Sequence, residues 1–254
     1  MIHVPAGFGG ILAAVRRSIV VLALAACSSG EPEPVGPGDP VGPAGGGDPA
    51  AACTAVPADE AGDGTYYAAD GTGSCGFDAS PGDLLVAAMN AADYSTAAWC
   101  GACLAVTGPR GSVVVRVVDQ CPECKHGDLD LSPQAFQLLS PLAAGRVPIS
   151  WHEVACDVKG PIAYRFKDGA NAYWTAIQLR NHRYPIAKLE AMRGSAYVTI
   201  PRLDYNYFVQ ASGLGPGPYR LRVTDTRGQV LEDGGVALGD AVTRTGAAQF
   251  AACP

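Results

Sequence analysis

The apolar positions fall into short runs broken by glycine, proline and aspartate, and no long helical stripe emerges. "SVVVRVV", Ser112 to Val118, is a continuous β-branched run after the turn "GPRG", residues 108–111, and predicts a strand. "VPISWHEVAC", residues 147–156, alternates apolar and polar and predicts another. "LSPQAFQLL" predicts a short helix, with Ser132 as N-cap and Pro133 at the first helical position. Beyond Cys156 the runs come at short spacing: "IAYRFK" from Ile162, "YWTAIQLR" from Tyr173, "IAKLEA" from Ile186, "SAYVTIP" from Ser195, "NYFVQA" from Asn206 and "YRLRVTD" from Tyr219. Turn residues separate them, as in "DGAN", "RNHRYP" and "GLGPGP". Short strands with one or two small helices predict a small β-barrel over 53–157. Strands alone predict a β-sandwich over 160–254. The boundary falls near Asp157 to Gly160, and no internal repeat is evident.

The N-terminal pattern is different. Arg16 and Arg17 precede "SIVVLALAA", an apolar run of the length of a signal peptide and too short to span a bilayer. Leu24-Ala25-Ala26-Cys27 resembles a bacterial lipobox, which implies a lipoprotein signal over 1–27 and a lipid on Cys27. An ordinary secretory signal is the alternative. Residues 28–52 are rich in Pro, Gly and Ala without apolar period, the composition of a disordered tether. No later segment is long and apolar enough to cross a membrane. These features predict export, with the chain anchored at the cell envelope or released outside.

A net charge of −6 leaves no basic footprint for nucleic acid. Of nine cysteines, setting aside Cys27 leaves eight, an even number that in an exported chain points to four disulfides. Cys100-x2-Cys103 and Cys121-x2-Cys124 also have the spacing of a four-cysteine zinc site. The export signal and the four other cysteines favour oxidation over metal. A redox role for "CPEC" needs a helix N-terminus in a βαβ setting, and here the motif follows a strand.

"VVDQCPECKHGDLDLSPQAF", residues 117–136, is similar to the acidic barrel motif of bacterial and microbial expansins. "YWTAIQLRNHRYPIAKLEAM", "LDYNYFV" and "LRVTDTRGQVL" resemble the carbohydrate-binding module of the same family. The resemblance runs over residues 53–254. It implies an all-β chain, a six-stranded double-psi β-barrel followed by an immunoglobulin-like β-sandwich. It implies loosening of cellulose- or xyloglucan-type wall polysaccharides without cutting them, no cofactor, and the disulfides Cys75–Cys100, Cys103–Cys156 and Cys121–Cys124. Cys53 and Cys253 then pair with each other.

By motif, Asp130 matches the essential acid of the family, Asp119 its acidic neighbour and Thr65 the partner of that acid. Asp128 reads as a turn or surface charge. Tyr173, Trp174 and Tyr205 match the aromatics of the binding face, with Lys167 as a basic neighbour. Flat glucan chains present C–H faces that stack on such rings. Strand alternation opposes Tyr173 and Trp174 sharing a face unless the strand starts there or bulges. Trp174 and Tyr205 are the expected surface rings. Arg180 and His182 read as turn and packing residues. Cys121 stands where relatives without this cysteine pair carry an aromatic, for which Tyr66, Tyr67 and Trp99 are candidate replacements.

Inverting hydrolysis needs an acid and a base roughly 6.5–9.5 Å apart. Thr65 occupies the position of the base in similar endoglucanase barrels, and Asp63 and Asp70 do not match it, so the acid is expected to stand alone. Lytic transglycosylation of peptidoglycan needs no activated water and stays as an enzymatic alternative. The lipoprotein A type has this barrel and a lipobox but lacks the sandwich signature. A purely adhesive surface module is the third reading.

Overall fold

The computed structural model describes Cys53 and residues 58–253. The signal-like segment, Cys27 and the tether lie outside the described residues.

Six strands close into a barrel: β1 (Glu60–Tyr66), β2 (Val86–Asn90), β3 (Cys103–Gly108), β4 (Gly111–Cys121), β5 (Leu129–Leu131) and β6 (Val147–Val154). Their order around the barrel is β1-β5-β2-β4-β3-β6. The β1–β5 and β2–β4 pairs are parallel and the others antiparallel. Leu104, Val106, Val115, Val117, Leu129, Leu131 and Ile149 turn inward and fill the centre. Each such buried aliphatic side chain contributes about 1.5–3 kcal/mol of transfer energy. Two helices flank the barrel, α1 (Ala91–Tyr94) and α2 (Pro133–Leu139). Ser132 caps α2 through its hydroxyl, which accepts from the Ala135 amide at 3.1 Å. Gly127 sits at φ +82° where a Cβ would come within 2.2 Å of the Ala61 carbonyl, so the turn into β5 crosses β1 only as glycine.

Two four-stranded sheets follow. One has the order β10-β9-β12-β13, built from β9 (Ile186–Arg193), β10 (Ala196–Ile200), β12 (Tyr219–Asp225) and β13 (Val230–Val236). The other, β11-β8-β7-β14, contains β7 (Ala163–Phe166), β8 (Thr175–Arg180), β11 (Phe208–Gln210) and β14 (Thr243–Thr245). Tyr164, Phe166, Ile177, Leu179, Leu189, Leu221, Val223 and Phe250 pack between them as the core of a sandwich. The all-β class, the closed six-stranded barrel and the sandwich agree with the fold that the resemblance implies.

Four disulfides join Cys53 to Cys253, Cys75 to Cys100, Cys103 to Cys156 and Cys121 to Cys124. The two C-x2-C pairs do not converge, because Cys100 and Cys103 bond to different partners. With all four thiols oxidised, the zinc reading of that spacing has no ligands. Two strands begin two residues later than the sequence expectation: β8 at Thr175, not Tyr173, and β11 at Phe208, not Asn206. Asn171 Oδ1 accepts from the amides of Tyr173 (2.8 Å) and Trp174 (3.1 Å), so both rings sit on an Asx-type turn ahead of β8.

Candidate functional site: an acidic barrel cleft beside an aromatic shelf

The barrel register lines up the acidic residues. Thr65 on β1 pairs with Asp130 on β5, Asp130 with Ala88 on β2, and Ala88 with Asp119 on β4. Paired residues share a face, so these four form one row across adjacent strands. The two acidic backbones stand two strands apart, about 10 Å at normal strand spacing. Ala88 between them contributes only a methyl and is itself buried.

The ends of the row are held differently. Thr65 Oγ1 donates to Asp130 Oδ1 at 2.6 Å. Burial pushes the Asp130 carboxyl above the ordinary range; the Thr65 hydrogen bond opposes this, the charge of Glu123 adds to it, Arg146 opposes and Asp119 adds. Asp119 Oδ1 accepts from the Ser74 amide at 2.6 Å and the Gln120 amide at 2.8 Å. Gly73 packs so close that a Cβ there would lie 2.3 Å from Asp119 Cγ. The family motif contains neither Gly73 nor Ser74, and only the folded chain brings them to the acid.

Asp130 and Thr65 open onto a cleft of about 430 Å³ also lined by Asp63, Glu123, Lys125, Asp128 and Arg146. Asp130 therefore does not stand alone, which corrects the sequence expectation. The turn closed by Cys121–Cys124 carries the exposed Glu123 to the cleft wall. The other two acids are engaged in structure. Asp63 pairs with Arg146 at 3.1 Å. Asp128 accepts from the amides of Asp63 (2.8 Å) and Lys125 (3.2 Å), closing the turn before β5.

Among the candidate replacement aromatics, Trp99 packs against the barrel core, edge-on to Trp151 at 5.9 Å. Tyr66 leans on Phe136 at 5.0 Å between ring centroids. Tyr67 is half-buried, and its hydroxyl feels the charges of Asp119, Asp130 and Asp70.

On the sandwich, Trp174, Ala176, Tyr207 and Val209 cluster apart from the main core. Tyr205 stacks obliquely on Tyr207 at 5.8 Å, and Lys167 Nζ lies 5.5 Å from the Tyr207 ring. Tyr205 is 40% exposed and Tyr173 84%, while Trp174 is half-buried against both clusters. Tyr173 is thus the most solvent-facing of the three, because the Asx-type turn frees it from strand alternation. Tyr207 is buried and packs beneath Tyr205 as a support of the shelf, which sequence reasoning missed; its only signal was the alternate aromatic spacing in "YNY". His182 is buried, with Nδ1 2.8 Å from the Tyr184 carbonyl, and burial drives its pKa down to about 4. Arg180 pairs with Asp78 on the barrel side.

The Asp119 end of the row and the ring cluster of the sandwich meet at one turn. Gly76 donates to the Gly73 carbonyl at 2.9 Å, and Ser74 within that turn holds Asp119. The Cys75 carbonyl accepts from Gln178 (2.8 Å) and Asn206 (3.2 Å) of the sandwich. A Cβ on Gly76 would lie 3.6 Å from the Tyr207 ring. Residues 73–76 therefore touch Asp119 on one side and the ring shelf on the other.

Known proteins resemble this chain in sequence and fold. A family profile described as Lytic transglycolase matches residues 59–151, the barrel. Expansin-YoaJ of Bacillus subtilis is 39% identical over 161 residues, covering 62% of this chain and 69% of that protein. Expansin-like protein 1 of Dictyostelium discoideum is 30% identical over 181 residues, 66% of this chain and 63% of the relative. The crystal structure of the apo expansin of Clavibacter michiganensis superposes with a TM-score of 0.71 at 34% identity, covering 76% of this chain and 98% of that one. A point mutant of the same protein, solved in complex with cellohexaose, gives a TM-score of 0.72. With barrel, sandwich and sequence identity all shared, the chain belongs to the expansin family.

Proposed function

We propose that this expansin binds cellulose-type glucans along the barrel cleft and the ring shelf and loosens their non-covalent contacts without cutting them. The row Thr65–Asp130–Ala88–Asp119 carries the reading, because it sets an acid of raised pKa beside a threonine where a hydrolase needs a base. Binding of cellohexaose by the Clavibacter relative supports a β-glucan as ligand. In this reading Asp130 donates to or competes for hydrogen bonds between sugar strands, Asp119 orients the chain, and Tyr173, Trp174, Tyr205 and Lys167 hold it on the sandwich. Xyloglucan and peptidoglycan are the other substrates to be assayed.

The test incubates the protein with cellulose, xyloglucan and peptidoglycan and measures released sugar, creep of wall strips under constant load, and pull-down on insoluble glucan. Creep without released product is expected. Asp130→Asn removes creep and leaves pull-down intact, whereas Trp174→Ala with Tyr205→Ala lowers pull-down at least tenfold, on the scale of two aromatic contacts. Catalytic release that vanishes in Asp130→Asn would establish instead the lytic activity named by the barrel's family profile.

Four disulfides fit an oxidising compartment outside the cytoplasm. Lipid attachment at Cys27 belongs to the same proposal. It requires that Cys27→Ser shift the protein from the membrane fraction to the soluble one; an unchanged distribution would refute it.

A further inference from the structure

Between barrel and sandwich lies an open cavity of about 550 Å³ that shares no lining residue with the acidic cleft. Small-molecule sites occupy about 300–1,000 Å³, so the space suits a short ligand. Phe77 and Asp78, next along the chain from the turn at residues 73–76, line it with Leu85, Val114 and Arg116 of the barrel. The joint and the sandwich add Asp157, Lys159, Arg180 and His182.

His182 does more than pack. The residue is 4% exposed, and its Nδ1 lies 2.8 Å from the Tyr184 carbonyl. A carbonyl only accepts, so Nδ1 carries the proton and Nε2 is a bare lone pair. Burial brings the pKa down to about 4, which keeps the ring neutral and the lone pair available at neutral pH. Nε2 receives no hydrogen bond from any described residue, yet it is not closed off from solvent. Gly101 keeps the space beside it open: a Cβ there would come within 2.7 Å of Nε2 and 3.3 Å of the Phe77 ring.

The charges around this acceptor cancel. Arg116 pairs with Asp83 at 3.3 Å, Arg180 with Asp78 at 2.5 Å and Lys159 with Asp157 at 2.5 Å. An ionic ligand gains little where each cation already has its anion. A hydroxyl gains from both members of a pair, since it accepts from a guanidinium and donates to a carboxylate. Phe77 holds both guanidiniums near its ring, at 5.7 and 5.9 Å from the centre, so the donors are placed in advance. Leu85 and Val114 are 37% and 50% exposed and offer apolar area to C–H groups. We infer that this cavity is a second saccharide site, which takes a neutral pyranose unit that donates one hydroxyl to His182 Nε2 and shares others with the Arg116–Asp83 and Arg180–Asp78 pairs. Such a site lets one molecule hold a sugar away from the cleft and the shelf.

The inference stands whether or not the cleft loosens glucan, and its test uses the whole chain with isotope-labelled histidine, read by the imidazole nitrogen signals in NMR. Cellobiose, a branched xyloglucan oligosaccharide and digalacturonate are titrated in turn. A saturable shift of the His182 Nε2 signal is expected with a neutral sugar, and binding of digalacturonate should be at least tenfold weaker. A response to both neutral sugars assigns the cavity to a main-chain unit, and a response to the branched one alone assigns it to a side branch. Trp174→Ala with Tyr205→Ala should leave the shift in place. In that background His182→Asn keeps an amide donor for the Tyr184 carbonyl and deletes the acceptor. It should weaken sugar binding roughly three- to tenfold, the worth of one neutral hydrogen bond, and His182→Gln should recover part of the loss. Val114→Trp changes an exposed strand position, tests the cavity without disturbing its buried wall, and should abolish the His182 response. No His182 shift with either neutral sugar would overturn the inference. So would a shift that vanishes with the shelf rings, one that persists in Val114→Trp, or wild-type affinity in folded His182→Asn. Equal binding of digalacturonate would overturn the neutral class of ligand.

Discussion

Asp130 is pulled in two directions. Partial burial favours its neutral form, and the 2.6 Å bond from Thr65 favours the anion; burial wins and the pKa rises. A carboxyl whose pKa is higher in the folded than in the unfolded chain binds its proton more tightly when folded. The native state therefore loses stability as pH rises through that interval, and the loss is complete above the folded pKa. Asp130→Asn removes the charge and keeps an oxygen for Thr65 to donate to. The thermal midpoint of Asp130→Asn should therefore exceed that of wild type at neutral pH, and the gap should close as pH falls below the ordinary aspartate range near ~4. Melting curves over that range check the sign. A gap that widens on acidification would mean that Asp130 is a stabilising anion, and the upward direction of its pKa would be refuted. Glu123 adds to the same upward push, and nothing in its local sequence signals this, because its position depends on the turn closed by Cys121–Cys124.

At the scale of elements, legibility followed the strength of the local pattern. β4, β6 and α2 carry strong signals: a β-branched run, an alternating run, and a serine cap followed by proline. β1, with the sequence EAGDGTY, was not legible as a strand because two glycines and two acidic residues mask its alternation. The glycines are there because side chains at Gly62 and Gly64 would strike Gly127 and Ile149. Close crossing of chain segments thus erases the pattern that would announce the strand. β2 escaped notice for the opposite reason, since all five residues are buried and no alternation exists. The row from Thr65 to Asp119 depends on these two strands and on their non-sequential pairing. Residue types at the site were readable one by one, but their common face required β2 between β5 and β4. The turn that frees Tyr173 is a similar case. "YWTAIQLR" reads as a strand from Tyr173 until the Asn171 side chain takes the amides of Tyr173 and Trp174.

At the scale of the whole molecule, a glucan that spans cleft and shelf needs both held in fixed relation, and the seam between barrel and sandwich supplies this. Cys53–Cys253 ties residues 200 apart in sequence. Tyr94 of α1 donates to the Asp204 carbonyl at 2.8 Å, beside the shelf ring Tyr205. At the seam, Glu153 of β6 faces Arg227 from the turn between β12 and β13, with Nη2 3.0 Å from Oε1. Both side chains are over nine-tenths buried, and Arg227 lies over the Tyr184 ring at 5.2 Å. Glu153 Oε1 and Arg227 Nε have no hydrogen-bond partner of good geometry among the described residues, so the charge of the pair carries much of the contact. Burial raises the Glu153 carboxyl, and the Arg227 charge opposes the rise. Removing Arg227 alone strands a carboxylate in the seam, and such losses typically cost about 3–5 kcal/mol. Arg227→Met should therefore unfold at clearly lower urea than wild type, and adding Glu153→Gln should restore most of the difference. The deficit of the single variant should also shrink at acid pH, where Glu153 takes up a proton. The melt of Arg227→Met reports on the seam directly: separate transitions for barrel and sandwich, in place of a joint one, are the signature of a broken coupling. Equal stability of Arg227→Met and wild type would show that the ion pair holds nothing together, and the fixed geometry between cleft and shelf would then rest on the disulfide and the hydrogen bonds at residues 75, 94 and 206.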